Sequence, residues 1–351
     1  MIIDALRGYR AERTFRRRLE ESVPWLLQAE TVPGLALSLV RDGRATWDGA
    51  FGARRSDAGD PVTPNTVFEA GSLGKPVFAY TVLQLCHEGV LDLDTPLDDY
   101  LSSPCVPGDR RSPRITTRRV LSHTTGLPYW RRTGEALATY VEPGERFLYS
   151  GEAFIVLQHV VERATGRSPS ALLSERAFGP AGMLDSTFVW DGTETQPFAL
   201  GHRADGTVVR KSLWPKTEVA GSLHTTARDV AAFLCHIMND PVIARDMLKA
   251  QGPVNDRPWH RDAPLGSCAI DERVSWGLGW GLGAGPDGTS FWHWGDNGCY
   301  RAFAIAYPDE GCGVAILTNS ENGQRVIARI LRDVAGGAYP ELDWLDRACE
   351  S

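Results

Sequence analysis

The sequence contains few lysines. Of its 37 basic side chains only four are lysine, at positions 75, 211, 216 and 249, and all the others are arginine. Arginine stays protonated in proteins, whereas a lysine can lose its proton when it is desolvated or placed beside another cation. A lysine in this arginine-rich chain therefore marks a candidate base.

The sequence also lacks long apolar runs. Charged side chains recur from Asp4 to Arg18, which leaves no apolar stretch of about 7 to 15 residues for a signal peptide. No segment approaches the roughly 18 apolar residues that a membrane-spanning helix needs. We therefore expect a cytoplasmic protein that does not associate with a membrane.

Positive charge and paired cysteines are scarce too. The net charge of −7 gives no basic surface for nucleic acid, and we interpret the short run from Arg16 to Arg18 as a solvated helix face. The seven cysteines are odd in number, scattered and without any Cys-x-x-Cys pair. No Cys or His cluster has zinc-ligand spacing. We expect reduced thiols, no metal, no cofactor and no nucleic-acid partner.

What the chain does contain is an alternation of strand-like and helix-like segments. An Asp42-Gly43 pair between two apolar stretches predicts a β-hairpin. Further strands are predicted at 274–281, 290–294, 302–307 and 313–319, and helices at 8–30, 76–88, 152–165 and 323–335. Strands at both chain ends with helices between them predict an α+β fold, in which one antiparallel sheet is assembled from the two termini and packs beside a mostly helical lobe.

The most informative short motif is Ser72-Leu73-Gly74-Lys75. If a helix begins near Ser72, residues three apart share a face, so an unprotonated Lys75 could accept the hydroxyl proton while Ser72 attacks a carbonyl carbon. A serine that caps a helix, with a surface lysine beyond it, would match the same pattern. The motif therefore predicts acyl transfer only in combination with other segments.

Two other segments carry the complementary chemistry. Tyr149 precedes a predicted helix, where its phenol could relay a proton to a leaving group. Gly295 follows His293 and Trp294 at the end of a predicted strand and would let the backbone approach a substrate closely. The N–H groups of Asp296 and Ser72 could then form an oxyanion hole.

Taken in order, these three segments resemble those of the serine β-lactamase and penicillin-binding superfamily, particularly its branch of class C β-lactamases, DD-peptidases and esterases. Supporting stretches lie at 32–36, 66–72, 115–128 and 220–229. The resemblance implies one catalytic domain over 1–351, with a sheet lobe at 1–71 and 216–351 and a helical lobe at 72–215. It also implies Ser72 as acylated nucleophile, Lys75 as base or proton shuttle, and Tyr149 as sharing that role.

The chain departs from the family pattern at two positions. Gly151 stands where relatives carry an asparagine that binds the substrate acyl group, and His293-Trp294-Gly295 stands where many carry Lys-Thr-Gly. A histidine that titrates near neutrality would weaken an anchor for a substrate carboxylate. Both departures favour small esters or thioesters. Five aromatic residues near the third motif could line an acyl pocket or fill the core: Trp276, Trp280, Trp292, Trp294 and Tyr300.

The leading hypothesis is a serine acyl hydrolase or acyltransferase of carboxylesterase type that acts on a small-molecule ester, thioester or amide. A β-lactamase or D-amino-acid peptidase remains open, as does a catalytically idle member of the fold that only binds a ligand. An α/β-hydrolase would fit Ala70-Gly71-Ser72-Leu73-Gly74 loosely but not the order of elements. We expect His123 to be structural, and we assign no chemistry to His224 or Asp229.

Overall fold

The computed structural model describes residues 1–193, 196–209, 211–254, 271–285 and 288–349. The strands of this part are Gly34–Arg41 (β1), Arg44–Arg55 (β2), Asp60–Pro61 (β3), Phe68–Gly71 (β4), Gly201–His202 (β5), Val208–Val209 (β6), Leu223–Thr225 (β7), Gly252–Pro253 (β8), Val274–Trp276 (β9), Gly281–Gly285 (β10), Gly288–Asp296 (β11), Arg301–Tyr307 (β12) and Cys312–Thr318 (β13).

The helices in the described ranges are Ile2–Leu6 (α1), Tyr9–Ala29 (α2), Gly74–His87 (α3), Thr117–Leu121 (α4), Gly151–Thr165 (α5), Pro169–Leu173 (α6), Gly179–Ala181 (α7), Ala227–Asn239 (α8), Pro241–Met247 (α9), Gly323–Arg329 (α10) and Pro340–Cys349 (α11). Short 3₁₀ turns lie at Leu97–Tyr100, Ser112–Arg114 and Pro308–Glu310, and wider π turns at Ser174–Phe178 and Ile330–Ala335. None of these helices is both long and apolar enough to cross a membrane.

Nine of the described strands form one antiparallel sheet in the order β3-β2-β1-β13-β12-β11-β10-β9-β8. Strand β1 pairs with β2 on one side and with β13, near the other end of the chain, on the other. The α+β fold with a sheet built from both termini is therefore confirmed. The division into two lobes at residues 71 and 216 stays a prediction.

The sheet is covered on both faces, and the central strand shows why. Along β1 the side chains of Leu35, Leu37 and Leu39 join a cluster with α1, α2, α10 and α11, whereas Ala36 and Val40 join the cluster that contains α3, α5 and α8. Alternate residues of a strand point to opposite faces, so a strand that is apolar throughout must be buried on both. The second cluster is the one that borders the catalytic serine candidate.

Most predicted elements lie where the periodicity placed them, with two differences. The stretch 274–281 is not one strand, because Gly277 N–H donates to the Trp280 carbonyl and turns the chain between β9 and β10. The helix predicted at 323–335 is α-helical only from Gly323 to Arg329 and continues from Ile330 to Ala335 as π turns. The Asp42-Gly43 hairpin is confirmed, with φ of 53° and 67°, both positive as a type I′ turn requires.

Helix α3 is buried on nearly every side. Eleven of its 14 residues are buried, including Lys75 and Tyr80. Its position between the sheet and the other helices removes the solvated face that an amphipathic helix would have. The lysine of the first motif is consequently held inside the protein.

The described cysteines Cys86, Cys105, Cys235, Cys299 and Cys312 are free thiols, as the scattered spacing predicted. Cys268 and the side chain of Cys349 lie outside the described part of the chain. Burial raises the pKa of Cys86, Cys105 and Cys312 to about 12, so these thiols are protonated at neutral pH.

We expect Leu37→Ala to destabilise the protein by about 2–5 kcal/mol. The Leu37 side chain is buried between the sheet and the helices that cover one of its faces, and its loss leaves a cavity. Urea unfolding followed by circular dichroism measures the difference. The matched control is Leu184→Ala, since Leu184 is 83% exposed, and its effect should stay within about 0.5 kcal/mol. Equal effects of the two substitutions would contradict the assigned core.

Candidate active site

Ser72 lies in the turn that joins β4 to α3. Lys75 N–H donates to the Ser72 carbonyl at 3.0 Å, and Leu73 N–H donates to the Ala70 carbonyl at 3.2 Å. The chain therefore begins to coil at the serine, which brings the side chains of residues 72 and 75 to the same side, as their spacing predicted. Ser72 is 6% exposed.

The Lys75 amine is in direct contact with the serine hydroxyl. Lys75 Nζ lies 2.7 Å from Ser72 Oγ and 2.8 Å from the carbonyl oxygen of Ala220. The side chain is fully buried, and this burial alone holds the pKa of the amine well below its ordinary value. The buried carboxylate of Glu69, in the strand before Ser72, is paired with Lys211. The lowered pKa favours the neutral amine, which is the form able to accept a proton.

Tyr149 covers this amine from the second motif. Lys75 Nζ lies 5.0 Å from the centroid of its ring. Burial raises the pKa of the Tyr149 phenol well above its ordinary value, and the nearby Ser72 hydroxyl opposes that rise. The phenolic oxygen is buried and makes no hydrogen bond of regular geometry with any described residue. Burial thus favours the neutral form of both the Lys75 amine and the Tyr149 phenol.

The third motif lies where strand β11 extends beyond its neighbour β10. Strand β10 pairs with β11 no further than Trp292 within the described residues, so the backbone from His293 to Asp296 has no neighbour from β10. Asn297 N–H donates to Tyr300 in the hairpin to β12. Because N–H directions alternate along a strand, Asp296 N–H points away from β12 and toward this open edge.

Two glycines show how closely this edge approaches the serine turn. A Cβ atom on Gly295 would lie 1.9 Å from the Ala70 carbonyl oxygen, and one on Gly71 would lie 3.3 Å from the Asp296 nitrogen. Gly295 therefore admits the backbone of the strand before Ser72, whereas the sequence had suggested that it admits the substrate. The backbone of Asp296 thus lies close to the residue before Ser72, and an oxyanion hole formed by the N–H groups of Ser72 and Asp296 stays a prediction.

His293 differs from its expected behaviour. Its ring nitrogen Nδ1 lies 2.7 Å from the Trp294 carbonyl oxygen, which can only accept, so Nδ1 carries the proton and Nε2 is left with its lone pair. Burial, followed by the nearby Lys75, lowers the pKa of His293 to about 3. The expectation that this histidine titrates near neutrality is therefore wrong, because the ring is completely buried.

All four tryptophans near the third motif are core residues. Trp276, Trp280 and Trp292 are each at most 1% exposed and pack against one another and against neighbouring rings. Trp294 and Tyr300 are 3% and 4% exposed, and the Tyr300 hydroxyl donates to the Ala199 carbonyl at 2.9 Å. Of the two interpretations left open, filling of the core is the one that this burial favours.

The departure at Gly151 has a steric explanation. A Cβ atom at this position would lie 2.5 Å from the indole ring of Trp130, which fills the space where a side chain would stand. A cavity of about 640 Å³ adjoins the indole and is lined largely by polar residues, among them Arg131, Glu152, Gln158, Thr217 and Glu218. No amide side chain from position 151 can reach a substrate here.

Several contributors to the site were missed in the sequence. The Ala220 carbonyl that contacts Lys75 cannot be found from residue type, since every residue has a carbonyl. Gln158 fixes that segment, because its side-chain amide donates to the Thr217 carbonyl and accepts from Val219 N–H, both at 3.0 Å. Asn297 joins the third motif to Glu69 at 2.9 Å and to the Gly221 carbonyl at 3.0 Å.

The residues to which no chemistry was assigned have structural partners. Thr226 caps helix α8 by accepting from Asp229 N–H, and the Asp229 carboxylate accepts from Asp185 N–H and from Ser186. His224 Nδ1 contacts the Ser222 carbonyl at 2.8 Å. No group of three or more His, Cys, Asp or Glu side chains is placed to hold a metal ion in the described residues.

This fold and this site define a class of serine hydrolases, and sequence comparison agrees. The Beta-lactamase family model matches residues 11–337, so the chain belongs to the Beta-lactamase family. Penicillin-binding protein 4 of Amycolatopsis lactamdurans is 27% identical over 330 residues, which cover 87% of this chain and 85% of that protein. Esterase EstB of Burkholderia gladioli is 30% identical over 214 residues, which cover 52% of this chain and 53% of that protein.

Structural comparison gives the same fold. The octameric penicillin-binding protein homologue from Pyrococcus abyssi superposes with a TM-score of 0.76 at 22% sequence identity, over 94% of this chain and 80% of that one. The family thus contains proteins named as an esterase and as penicillin-binding proteins. Membership establishes a serine hydrolase family and leaves the substrate class to be argued from the site.

We expect Lys75→Arg to lower the rate of Ser72 acylation by about 10²-fold or more, because a guanidinium stays charged and cannot accept the serine proton. In the wild type, kcat/KM should fall as the pH falls through the lowered pKa of Lys75. Stopped-flow acylation rates measure the first effect, with circular dichroism to verify folding. A folded arginine variant that acylates at the wild-type rate would exclude Lys75 as the base.

We expect His293→Gln to leave the shape of the pH–rate profile unchanged between about pH 5 and pH 8, since the histidine is already neutral throughout that interval. Its activity can change in magnitude, because the Nδ1 contact to Trp294 is altered. The measurement is kcat/KM against pH for both proteins. An acidic limb near the ordinary histidine value of 6.5 that disappears in the variant would show that His293 titrates.

Proposed function

We propose that this protein is a serine acyl hydrolase or acyltransferase of carboxylesterase type that forms an acyl-enzyme on Ser72 from a small-molecule ester or thioester. The observation that carries the proposal is the 2.7 Å contact between the Ser72 hydroxyl and a fully buried Lys75 amine, whose pKa burial holds well below its ordinary value. Burial of a lysine without a carboxylate partner lowers the stability of the folded protein. A catalytic role as a base is a reason why the lysine is buried nevertheless.

The acylation step follows from the positions of these groups. Ser72 Oγ bonds to the carbonyl carbon while its proton moves to Lys75 Nζ, and the N–H groups of Ser72 and Asp296 stabilise the oxyanion. When the intermediate collapses, the bond to the alkoxide or thiolate breaks and Tyr149 gives that atom its phenolic proton. The Lys75 ammonium then returns a proton to Tyr149, which leaves both groups neutral beside the acyl-enzyme.

Release of the acyl group repeats the sequence with a second nucleophile. Water gives a hydrolase, and an alcohol, amine or thiol gives an acyltransferase. In either case Lys75 and Tyr149 act as a coupled pair, since Lys75 Nζ lies 5.0 Å from the centroid of the phenol ring and each changes the electrostatic field of the other.

The preference for esters and thioesters rests on two features. Trp130 excludes a side chain at position 151, so the site has no amide at that position to bind the carbonyl or N–H of a peptide-like acyl group. His293 is neutral and presents a lone pair, so it does not attract the carboxylate that β-lactams and D-amino-acid peptides carry. A relative named as an esterase is consistent with this preference.

Two alternatives are tested by the same panel. Turnover of nitrocefin or of a D-alanyl dipeptide in preference to esters would favour a β-lactamase or a D-amino-acid peptidase. A protein that binds these compounds without turning any of them over would be an idle ligand-binding member of the fold. The intact contact between Ser72 and Lys75 argues against the idle member.

The decisive experiment combines mass spectrometry with this substrate panel. We expect the wild type to gain a single acyl group from p-nitrophenyl acetate or butyrate, and Ser72→Ala to gain none. Ser150→Ala is the matched control, because Ser150 is also buried and lies next to Tyr149 in the sequence but caps helix α5. It should still be acylated. Equal labelling of the wild type and Ser72→Ala would refute the proposal.

A further inference from the structure

His123 holds the backbone on both sides of Tyr149. Its ring nitrogen Nδ1 accepts a hydrogen bond from Ser150 N–H at 3.1 Å, and its carbonyl oxygen accepts one from Leu148 N–H at 2.7 Å. These two donors belong to the residues immediately before and after the tyrosine. The segment that carries the phenol is therefore fixed by a single residue from another part of the chain.

The ring of His123 also supports the ring of Tyr149. Their centroids are 4.1 Å apart with an interplanar angle of 30°. The rings of Phe147, Phe154 and Trp276 close the other sides of the imidazole at 5.2 to 5.8 Å. Because His123 is completely buried, any change in its ring changes the surface on which the phenol rests.

The hydrogen bonds determine the protonation state of this histidine. A backbone N–H can only donate, so Nδ1 carries a lone pair and the neutral ring has its proton on Nε2. Nε2 has no hydrogen-bond partner in the described part of the chain. Burial, then the nearby Lys75 and His293, holds the pKa of His123 well below its ordinary value. A charged imidazole beside the Lys75 amine would hinder proton transfer to that amine, and a neutral one does not.

The backbone of His123 is unusual as well. Its φ angle is +53°, in the left-handed region that residues other than glycine seldom occupy. Such a conformation costs free energy and persists where the surrounding structure requires it, commonly at functional sites. Here it directs the carbonyl and the ring of the same residue toward residues 148 to 150.

From these contacts we infer that His123 is a positioning residue that aligns the Tyr149 phenol for transfer of its proton to the leaving group. The inference rests on the proposed function. It concerns the alignment of the phenol and leaves the nucleophile, Ser72, and its base, Lys75, unaffected. Loss of His123 should therefore matter most for substrates whose leaving group needs a proton.

The test compares leaving groups in two substitutions. His123→Phe keeps a ring against Tyr149 but removes the acceptor for Ser150 N–H, and His123→Asn keeps an acceptor but removes the ring. We expect each to slow acylation by ethyl acetate by about 10²-fold, the range of general acid catalysis, and acylation by p-nitrophenyl acetate by less than about threefold. p-Nitrophenolate leaves without a proton, so its burst rate does not depend on the phenol.

A matched control separates positioning from general damage to the core. His202 is also completely buried, accepts from a backbone N–H of Ser56 at 3.3 Å and contacts the Asn319 carbonyl at 2.8 Å. His202→Phe should change the rates for both esters by the same factor. A double variant that combines His123→Phe with Tyr149→Phe should react with ethyl acetate no more slowly than Tyr149→Phe alone, since the general acid is already absent.

Three results would overturn the inference. They are equal losses for the two esters, additive losses in the double variant, and a His123 ring in wild-type ¹⁵N spectra that titrates near neutrality or carries its proton on Nδ1. The spectra need no variant and decide the matter if both substitutions prevent folding. Failure of the proposed function is recognised separately, as the absence of a Ser72 acyl adduct in the wild type.

Discussion

The exclusion of water from one lysine governs the chemistry of this protein. The amine of Lys75 contacts the Ser72 hydroxyl, the Ala220 carbonyl and two aromatic rings, and it forms no ion pair with a carboxylate in the described part of the chain. In water such an amine would be protonated at neutral pH and useless as a base. Burial reverses this preference, so the fold supplies the reactivity that the residue type lacks.

The same desolvation acts on the groups around the lysine. The pKa values of His123 and His293 are lowered and that of Tyr149 is raised, in each case with burial as the largest cause. Burial thus favours the neutral form of all four ionisable side chains, Lys75, His123, Tyr149 and His293. A single proton moved among them would change the field at all the others, which is the condition for coupled rather than independent titration.

The sequence predicted those features that depend on residue type and spacing. The hairpin at Asp42-Gly43, the presence of strands at both ends of the chain and the helical turn between Ser72 and Lys75 belong to this class. The features that escaped prediction depend on burial and on backbone groups. The residue type of His293 does not reveal that its ring is buried, and the residue type of Ala220 does not distinguish its carbonyl from any other. The effect of Trp130 on Gly151 likewise arises only when distant segments meet.

The pairing of β1 with β13 has a consequence for how the chain is made. The first strand leaves the ribosome some 270 residues before its partner, and until then one edge of the β1–β2 hairpin is unpaired and apolar. Contacts of such long sequence separation form slowly. The nascent chain therefore presents an aggregation-prone edge during most of its synthesis, and chaperone capacity rather than final stability should limit the yield of folded protein.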